Sequence, residues 1–435
     1  MGIALTSGLI IAIALIILLL GGIPISIALG ISSLLAILPV LNFDAAVLTA
    51  AQRTFSGISV FTLIAIPFFI LAGNIMNKGG IAIRLINFAK ILSGRIPGAM
   101  AHTNAAANMM FGAISGSGVA AASAMGSIIG PIAEKDGYDR DFMATVNIAT
   151  APTGLLIPPS NVLITFSLVS GGTSVAALFM AGYVPGILWG LSCMLVAYFI
   201  AKKQGYRSSE RVTLKQALKT TVEAIPSLLL IIIVIGGIIS GVFTATEGSV
   251  VAVAYSLILS LFFYKTIKVK DLYTIYKESA EMTGIIVFLI GISSVMAWVM
   301  AFTGIPGAIS AALLTLSSNK IVILLIINLV LLFVGTFMDI TPAILIFTPI
   351  FLPICVGFGM SPIQFGIMVT FNLCIGTITP PVGNILFVGV KVAKTTIENV
   401  MLKLIPYYVA IFAVLLLTTY VPKVSMWLPT LMGYK

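Results

Sequence analysis

Hydrophobic residues run through this chain in blocks long enough to cross a bilayer, which takes about 20 apolar residues per helix. Such blocks fall at about 3–20, 24–40, 60–76, 140–171, 178–200, 225–243, 248–264, 283–302, 362–390 and 404–422, and they predict ten crossings. Two further apolar stretches, 97–134 and 321–357, are interrupted midway by small and polar residues. The first breaks at Ser115-Gly116-Ser117-Gly118 and the second at Gly335-Thr336-Phe337-Met338-Asp339-Ile340-Thr341-Pro342. Each is either two spans joined by a tight turn or a re-entrant hairpin that enters and leaves on one side. Segments 40–58, 80–92 and 304–318 are mixed and rich in small residues, which suits horizontal arm helices bracing a moving part against a fixed one.

Composition turns the pattern into a class. Of 435 residues, 60% are hydrophobic and 8% charged, against about 25% charged in a soluble domain. The apolar surface must face lipid. A water-soluble enzyme, a disordered tail, a disulfide scaffold and a nucleic-acid-binding module are excluded. Cys193, Cys355 and Cys374 lie in apolar stretches without CxxC spacing and read as packed, inert thiols. The first twenty residues lack a basic n-region and a small-residue cleavage site, so a retained first helix is expected.

The net charge of +10 reports cytoplasmic loops in a membrane protein. With both interrupted stretches as hairpins and the N-terminus outside, the connections 77–96, 134–141, 201–224, 265–282 and 391–403 all become cytoplasmic. They hold 19 of the 23 Lys and Arg, leaving Arg53, Lys320, Lys423 and Lys435 outside. Making the first stretch a full crossing would put Lys135 and Arg140 opposite Lys78, Arg84, Lys90 and Arg95. The expectation is therefore ten transmembrane helices plus two re-entrant hairpins, with both termini periplasmic. Within the basic segment Lys202–Lys219, Arg211, Lys215 and Lys219 are spaced four apart, one stripe of a short helix lying on anionic lipid.

The chain also repeats itself. Gly154-Leu155-Leu156-Ile157-Pro158-Pro159 recurs as Gly376-Thr377-Ile378-Thr379-Pro380-Pro381, an offset of 222. Pro131-Ile132 matches Pro353-Ile354 and Gly137 matches Gly359 at 222, Gly112 matches Gly335 at 223, and Val184-Pro185 matches Ile405-Pro406 at 221. In the topology above the two copies are inverted. Inverted repeats with discontinuous helices are the signature of secondary transporters, with the site at the midplane between them. The expected division is scaffold helices over 1–76, a first repeat over 77–200, a basic loop over 201–224, scaffold helices over 225–302, a second repeat over 303–422 and a tail over 423–435.

A Pro-Pro pair inside an apolar span breaks the helix, and the freed carbonyls must face protein or a polar cavity. Pro158-Pro159 is followed by Ser160 and Asn161, and Pro380-Pro381 by Val382, Gly383 and Asn384. Such breaks present carbonyls and a half-helix N-terminus together, which suits a cation and an anion side by side. A Na+ ion needs about five or six oxygen ligands, which carbonyls, Ser, Thr and Asn supply without buried net charge. One cation site per repeat is expected, between each hairpin tip and the neighbouring broken helix. Asp339 is the only acidic residue at the centre of a predicted membrane segment, and intramembrane carboxylates default to functional. It reads as a cation ligand, as a cap on the half-helix that follows, or as a proton relay. Asn104, Asn108 and Asn147 read as interhelical hydrogen-bonders. His102, the sole histidine, reads as a satisfied bundle histidine. Pairing it with Ser117 as an intramembrane protease gives no reason for a second, inverted copy.

These residues resemble the large membrane subunit of the tripartite ATP-independent periplasmic (TRAP) transporters. The resemblance rests on Gly154 to Asn161 with Thr150-Ala151-Pro152-Thr153 before it, on Ser115 to Gly118, on Gly335 to Asp339 and on Gly376 to Asn384, and it covers essentially the whole chain. It implies an elevator-type, Na+-driven importer of small organic anions, commonly C4-dicarboxylates or sialic acids, in the bacterial inner membrane. Such a subunit works with a small membrane subunit, expected here as a separate chain, and with a periplasmic substrate-binding protein. By motif, Na+ would be held around Ser115, Gly116, Pro158 and Asn161, and around Gly335, Asp339, Thr341, Gly376, Thr379 and Pro380. No basic residue lies in a hydrophobic core segment. The anion is therefore expected on helix N-termini and on Ser115, Ser117, Asn161, Thr377 and Asn384, or on a basic residue reaching in from an arm. The alternatives are a stand-alone Na+-coupled carboxylate symporter of the same superfamily that needs no binding protein, and an intramembrane enzyme or channel.

Overall fold

The computed structural model describes residues 2–94, 96–206 and 213–434, with the backbone alone at 114 and 214. Arg95, Arg207, Arg211 and Lys435 lie outside the described residues, and so does part of the expected basic stripe. In chain order the helices are α1 (Ile3–Leu20), α2 (Ile25–Ile37), α3 (Phe43–Ile58), α4 (Ala65–Lys78), α5 (Ile81–Ser93), α6 (Ala99–Ser115) and α7 (Gly118–Lys135). They continue with α8 (Arg140–Thr150), α9 (Thr153–Leu156), α10 (Asn161–Val169), α11 (Val175–Gln204), α12 (Leu214–Ile239), α13 (Ala245–Ile258) and α14 (Val269–Thr303). The last are α15 (Ile305–Leu316), α16 (Lys320–Gly335), α17 (Ile340–Gly357), α18 (Pro362–Gly376), α19 (Asn384–Ala393), α20 (Ile397–Tyr420) and α21 (Pro422–Leu431). No strand occurs among the described residues.

Eight helices are long and apolar enough to cross a membrane, and nine spans result if α8–α9 and α10, bent by 48° at their break, count as one. The expected ten differ for a simple reason. The block at 24–40 holds only the 13-residue α2, and the block at 362–390 is split into α18 and α19, neither long enough alone. Conversely α17 qualifies by length although it is one arm of a hairpin. The outermost helix, α1, buries only Ser7 and Ile11. A helix apolar all round with so little burial is solvated by lipid.

Both ends of the α6–α7 hairpin come to the same residue. Gly98 N–H, at the start of α6, donates to the Tyr206 carbonyl (3.2 Å), and Asp139 N–H, just beyond α7, donates to the Tyr206 hydroxyl (3.1 Å). The hairpin therefore enters and leaves on one side. Helix α20 fixes the relation to the second hairpin. Near its start, Lys403 Nζ meets Asp139 Oδ1 at 2.5 Å, beside the base of the first hairpin. At its end, the Tyr420 hydroxyl donates to the Ile321 carbonyl at 2.8 Å, at the base of the α16–α17 hairpin. Those 17 residues span about 25 Å, so the hairpins open at opposite ends and the repeats are inverted.

The repeats pack by equivalent devices. A Cβ on Gly154 would stand 2.2 Å from Gly112 Cα, and one on Gly376 would stand 2.2 Å from the Gly335 carbonyl carbon. Each hairpin's first arm thus lies directly on the backbone of its own broken helix, which only glycine permits. An amide reinforces each contact. Asn108 Nδ2 donates to Thr150 Oγ1 (2.9 Å) and Asn147 Oδ1 (3.0 Å), and Asn372 Nδ2 donates to Asn328 Oδ1 (2.6 Å). The two repeats meet through Trp189 on Phe371, ring centroids 4.6 Å apart. Helices α2, α3, α4 and α13 pack with α14 or on one another, and this group meets the repeats through α14 on α17 and α4 on α6 and α10. Helix α5 leaves α4 through Gly79-Gly80, with φ +72° at Gly80, and α15 follows Gly304 at φ +74°.

Candidate functional site

The two hairpin tips and the two helix breaks converge on one cavity of about 370 Å³. Ser115, Gly116, Ser117, Asn161, Asp339, Thr341, Thr377 and Asn384 all line it, residues from both repeats that are far apart in sequence. Its opposite wall was not foreseen: Ile70, Gly73, Asn74 and Asn77 of α4, and Met282 and Ile286 of α14. Asn74 and Asn77, one helical turn apart at the end of an apolar block, were the available signal. Asn74 also donates to Ser279 Oγ at 2.8 Å, joining α4 to α14.

At the first tip, Gly116 adopts φ +62°, and a Cβ there would stand 2.9 Å from Asn161 Nδ2. The glycine lets the tip close over the first residue of α10. Ser117 caps α7 by accepting from Ala120 N–H (3.2 Å), and Ser160 caps α10 by accepting from Leu163 N–H (3.4 Å). Asn161 Oδ1 is buried with no hydrogen-bond partner. A buried, unpaired amide oxygen costs about 1–3 kcal/mol, and a cation among these hydroxyls and carbonyls would remove that cost.

The second tip is built differently. Asn384 Nδ2 donates to Asp339 Oδ1 at 3.0 Å. The Thr336 carbonyl accepts from Val382 N–H (3.2 Å) and Gly383 N–H (3.4 Å), and the Thr377 carbonyl accepts from Ile385 N–H (3.0 Å). Thr377 and Thr379 hydroxyls donate to the Cys374 and Ile375 carbonyls (2.7 and 2.8 Å), which aims their remaining lone pairs elsewhere. Asp339 occupies the position preceding α17 but makes no side-chain cap bond. The cap reading is corrected: the carboxylate is exposed to the cavity and turned to Asn384.

Five expected ligands lie off the cavity wall. Gly335 and Gly376 form the backbone contact described above, and Pro158, Pro380 and Thr379 stand behind the breaks. Both Pro-Pro bonds are cis. His102 Nε2 donates to the Pro97 carbonyl (3.1 Å) at the hairpin base, about 20 Å along α6 from the tip, so it cannot serve Ser117 as a base. The three cysteines are buried and unpaired. Among the described residues no three His, Cys, Asp or Glu converge as a metal cluster, and the cavity wall carries one carboxylate and no basic side chain. The wall's oxygens are hydroxyl, amide and carbonyl oxygens and the one carboxylate of Asp339.

The model of the tripartite ATP-independent periplasmic transporter DctM component matches residues 12–424. The chain belongs to the TRAP large-permease family. It is 38% identical to the sialic acid TRAP transporter large permease protein SiaM of Vibrio cholerae over 386 residues, covering 88% of this chain and 90% of that protein. It is 36% identical to the C4-dicarboxylate TRAP transporter large permease protein DctM of Rhodobacter capsulatus over 440 residues, covering 98% of this chain and 100% of that protein. In fold it is similar to the YdaH transporter of Alcanivorax borkumensis, with a TM-score of 0.65 at 16% identity over 90% of each chain. This TRAP permease is a multi-pass membrane protein and a transporter component.

Proposed function

We propose that this TRAP permease imports a small organic anion of the sialic acid or C4-dicarboxylate class by Na+ symport across the bacterial inner membrane, with both termini periplasmic. The observation that carries the reading is the convergence of Ser115, Ser117, Asn161, Thr377, Asn384 and Asp339 on one cavity between inverted repeats. The electrostatics explain the coupling. Two negative charges about 5 Å apart repel by roughly 3 kcal/mol at an effective dielectric of 20. An organic anion entering beside Asp339 meets that repulsion with no basic side chain on the wall to offset it. Na+ bound at the two tips supplies the positive charge, so anion affinity depends on Na+ and each favours the other's binding.

The transport domain comprises both hairpins and both broken helices, and it slides against α4 and α14 as an elevator while α5 and α15 act as arms. The first Na+ site uses Ser115, Gly116 and Asn161, with Pro158 freeing carbonyls behind them. The second uses Asp339 and Thr341, with Gly335, Gly376, Thr379 and Pro380 bringing the backbone close. A periplasmic binding protein delivers the substrate, and a small membrane subunit covers part of the scaffold's apolar face.

The test is uptake of radiolabelled N-acetylneuraminate and succinate into proteoliposomes containing the permease, the small subunit and a candidate binding protein. Uptake is expected only with an inward Na+ gradient and with the binding protein present. Equal rates with K+ or choline and no proton gradient contradict Na+ symport. Full-rate uptake of free substrate without the binding protein supports a stand-alone symporter instead.

A further inference from the structure

A second polar cavity, of about 270 Å³, lies where α7, α8 and the end of α19 meet, on the side of the protein that carries Lys403 and the base of the first hairpin. Its lining includes Asn104, Glu134, Arg140, Asn147 and Lys394. It is distinct from the central cavity. Asn104 is more than ten residues down α6 from the tip, about 16 Å.

The hydrogen-bond inventory of this pocket is one-sided. Its side-chain acceptors already face donors. Glu134 takes two bonds from Arg140 (2.8 and 3.1 Å), and the Asn104 and Asn147 Oδ1 atoms share the two N–H bonds of Asn108 Nδ2 with Thr150 Oγ1 (2.9, 3.0 and 2.9 Å). Asn147 Nδ2 is likewise committed, to the Ala122 carbonyl (2.7 Å). What remains are donors. Asn104 is 1% exposed, lines the cavity, and its NH2 group has no acceptor among the described residues. The Lys394 ammonium lines the same cavity and has no ion pair among the described residues. With Arg140 and Lys394 against Glu134 alone, the wall carries one net positive charge. Free donors and a positive balance select an anion.

The backbone at Lys394 adds an independent sign. It sits at φ +53° just beyond α19, one of two non-glycine residues with positive φ among the described residues. Glycine is the residue that position favours, and a side chain held there against a backbone cost points to a use for that side chain.

We propose that this pocket binds a small aqueous oxyanion, a carboxylate or inorganic phosphate, between the Lys394 ammonium and the Asn104 amide. A seated anion links α19 of the second repeat to α6 and α8 of the first. The site does not depend on the direction or ion coupling of transport.

The test is thermal unfolding of the purified, delipidated full chain titrated with potassium phosphate and with potassium succinate, at ionic strength matched by KCl and without Na+. A saturable rise in Tm, the mark of a ligand bound to the folded state, is expected with at least one of the two. Lys394→Gln and Asn104→Leu are each expected to weaken the apparent affinity at least tenfold. Lys394→Arg keeps the affinity within threefold, and Lys391→Gln, on the same helix but outside the pocket, leaves it unchanged. Lys394→Gly separates binding from a structural role: Tm without anion stays equal or rises, while the anion response is lost. No saturable shift with either salt overturns the proposal, as does unchanged affinity in both Lys394→Gln and Lys394→Gly. A shift produced by short-chain phosphatidylglycerol but by neither salt assigns the pocket to a lipid headgroup and also overturns it.

Discussion

The two hairpin tips occupy equivalent places in inverted copies of one unit, yet they differ in charge and in how their polar atoms are paired. The first is neutral and leaves Asn161 Oδ1 buried without a partner. The second holds a carboxylate, exposed to the cavity and hydrogen-bonded to Asn384. Duplication preserved the backbone device, glycine against glycine with a Pro-Pro break, while the chemistry on the tips diverged. The first tip leaves an acceptor open. The second is held together by its own side chains.

The shared device should fail hardest when broken. Gly154→Ala and Gly376→Ala each place a Cβ 2.2 Å from backbone of the facing hairpin arm, where no flexible side chain can yield. Overpacking typically costs about 1–3 kcal/mol, and backbone on both sides puts these at or above that range. Both variants should give little folded protein in detergent, as judged by size-exclusion yield. If one copy tolerates alanine and the other does not, the repeats are not packed equivalently.

The divergent chemistry should separate the tips. Asp339→Ala and Asp339→Asn are expected to cut uptake by at least tenfold, and Asp339→Asn should weaken the Na+ requirement of anion binding because it removes the repulsion that Na+ is proposed to offset. Asn161→Leu should behave in the opposite sense when no Na+ is present. Removing a buried, unpaired oxygen raises Tm by a degree or more in Na+-free buffer, about 1 kcal/mol or less, while the Na+-dependent rise in Tm shrinks. Loss of stability in Na+-free buffer would mean that Asn161 is a packing residue.

The smallest effect lies at the junction between repeats, where Lys403 bridges Asp139 and Asp141. Asp139, in the connection before α8, titrates below the ordinary carboxylate value: partial burial alone would raise it, but hydrogen bonds from Lys403 and from Phe142 N–H outweigh that. A carboxylate lowered in the folded state contributes stability that is fully present above the unfolded value of about 4 and is lost as pH falls through the lowered folded value. Asp139→Asn keeps a capping side chain and removes the charge. Its Tm deficit should be constant above about pH 5 and shrink as the buffer is acidified below about pH 4.

Much of this was legible in the sequence because it rests on features with fixed spacing. The 222-residue offset, the Pro-Pro breaks and the Ser-Gly-Ser-Gly tip mark positions where the backbone must do something unusual, and the structure brings eight of the expected site residues to one cavity. Two kinds of information were not legible. Which glycines face each other is a tertiary fact: Gly112 and Gly335 were matched as repeat partners, whereas each packs on the break of its own copy. The scaffold wall was missed because Ile286 lies inside an ordinary apolar run and Met282 at its edge, and nothing in a one-dimensional pattern distinguishes a lipid-facing Ile from one facing a cavity. Asp339 shows the same limit. Its position before a helix favours a cap, but the rotamer that reaches Asn384 depends on the second repeat's break being folded beside it.

In the proposed mechanism each tip holds a coupling Na+ ion. Its most direct test is the Na+ dependence of initial uptake rate in proteoliposomes, compared among the wild type, Asn161→Ala and Asp339→Asn. A cooperative dependence in the wild type, with a Hill coefficient above 1 that falls toward 1 in each variant, is the predicted result. A wild-type rate unchanged when K+ or choline replaces Na+ would contradict it.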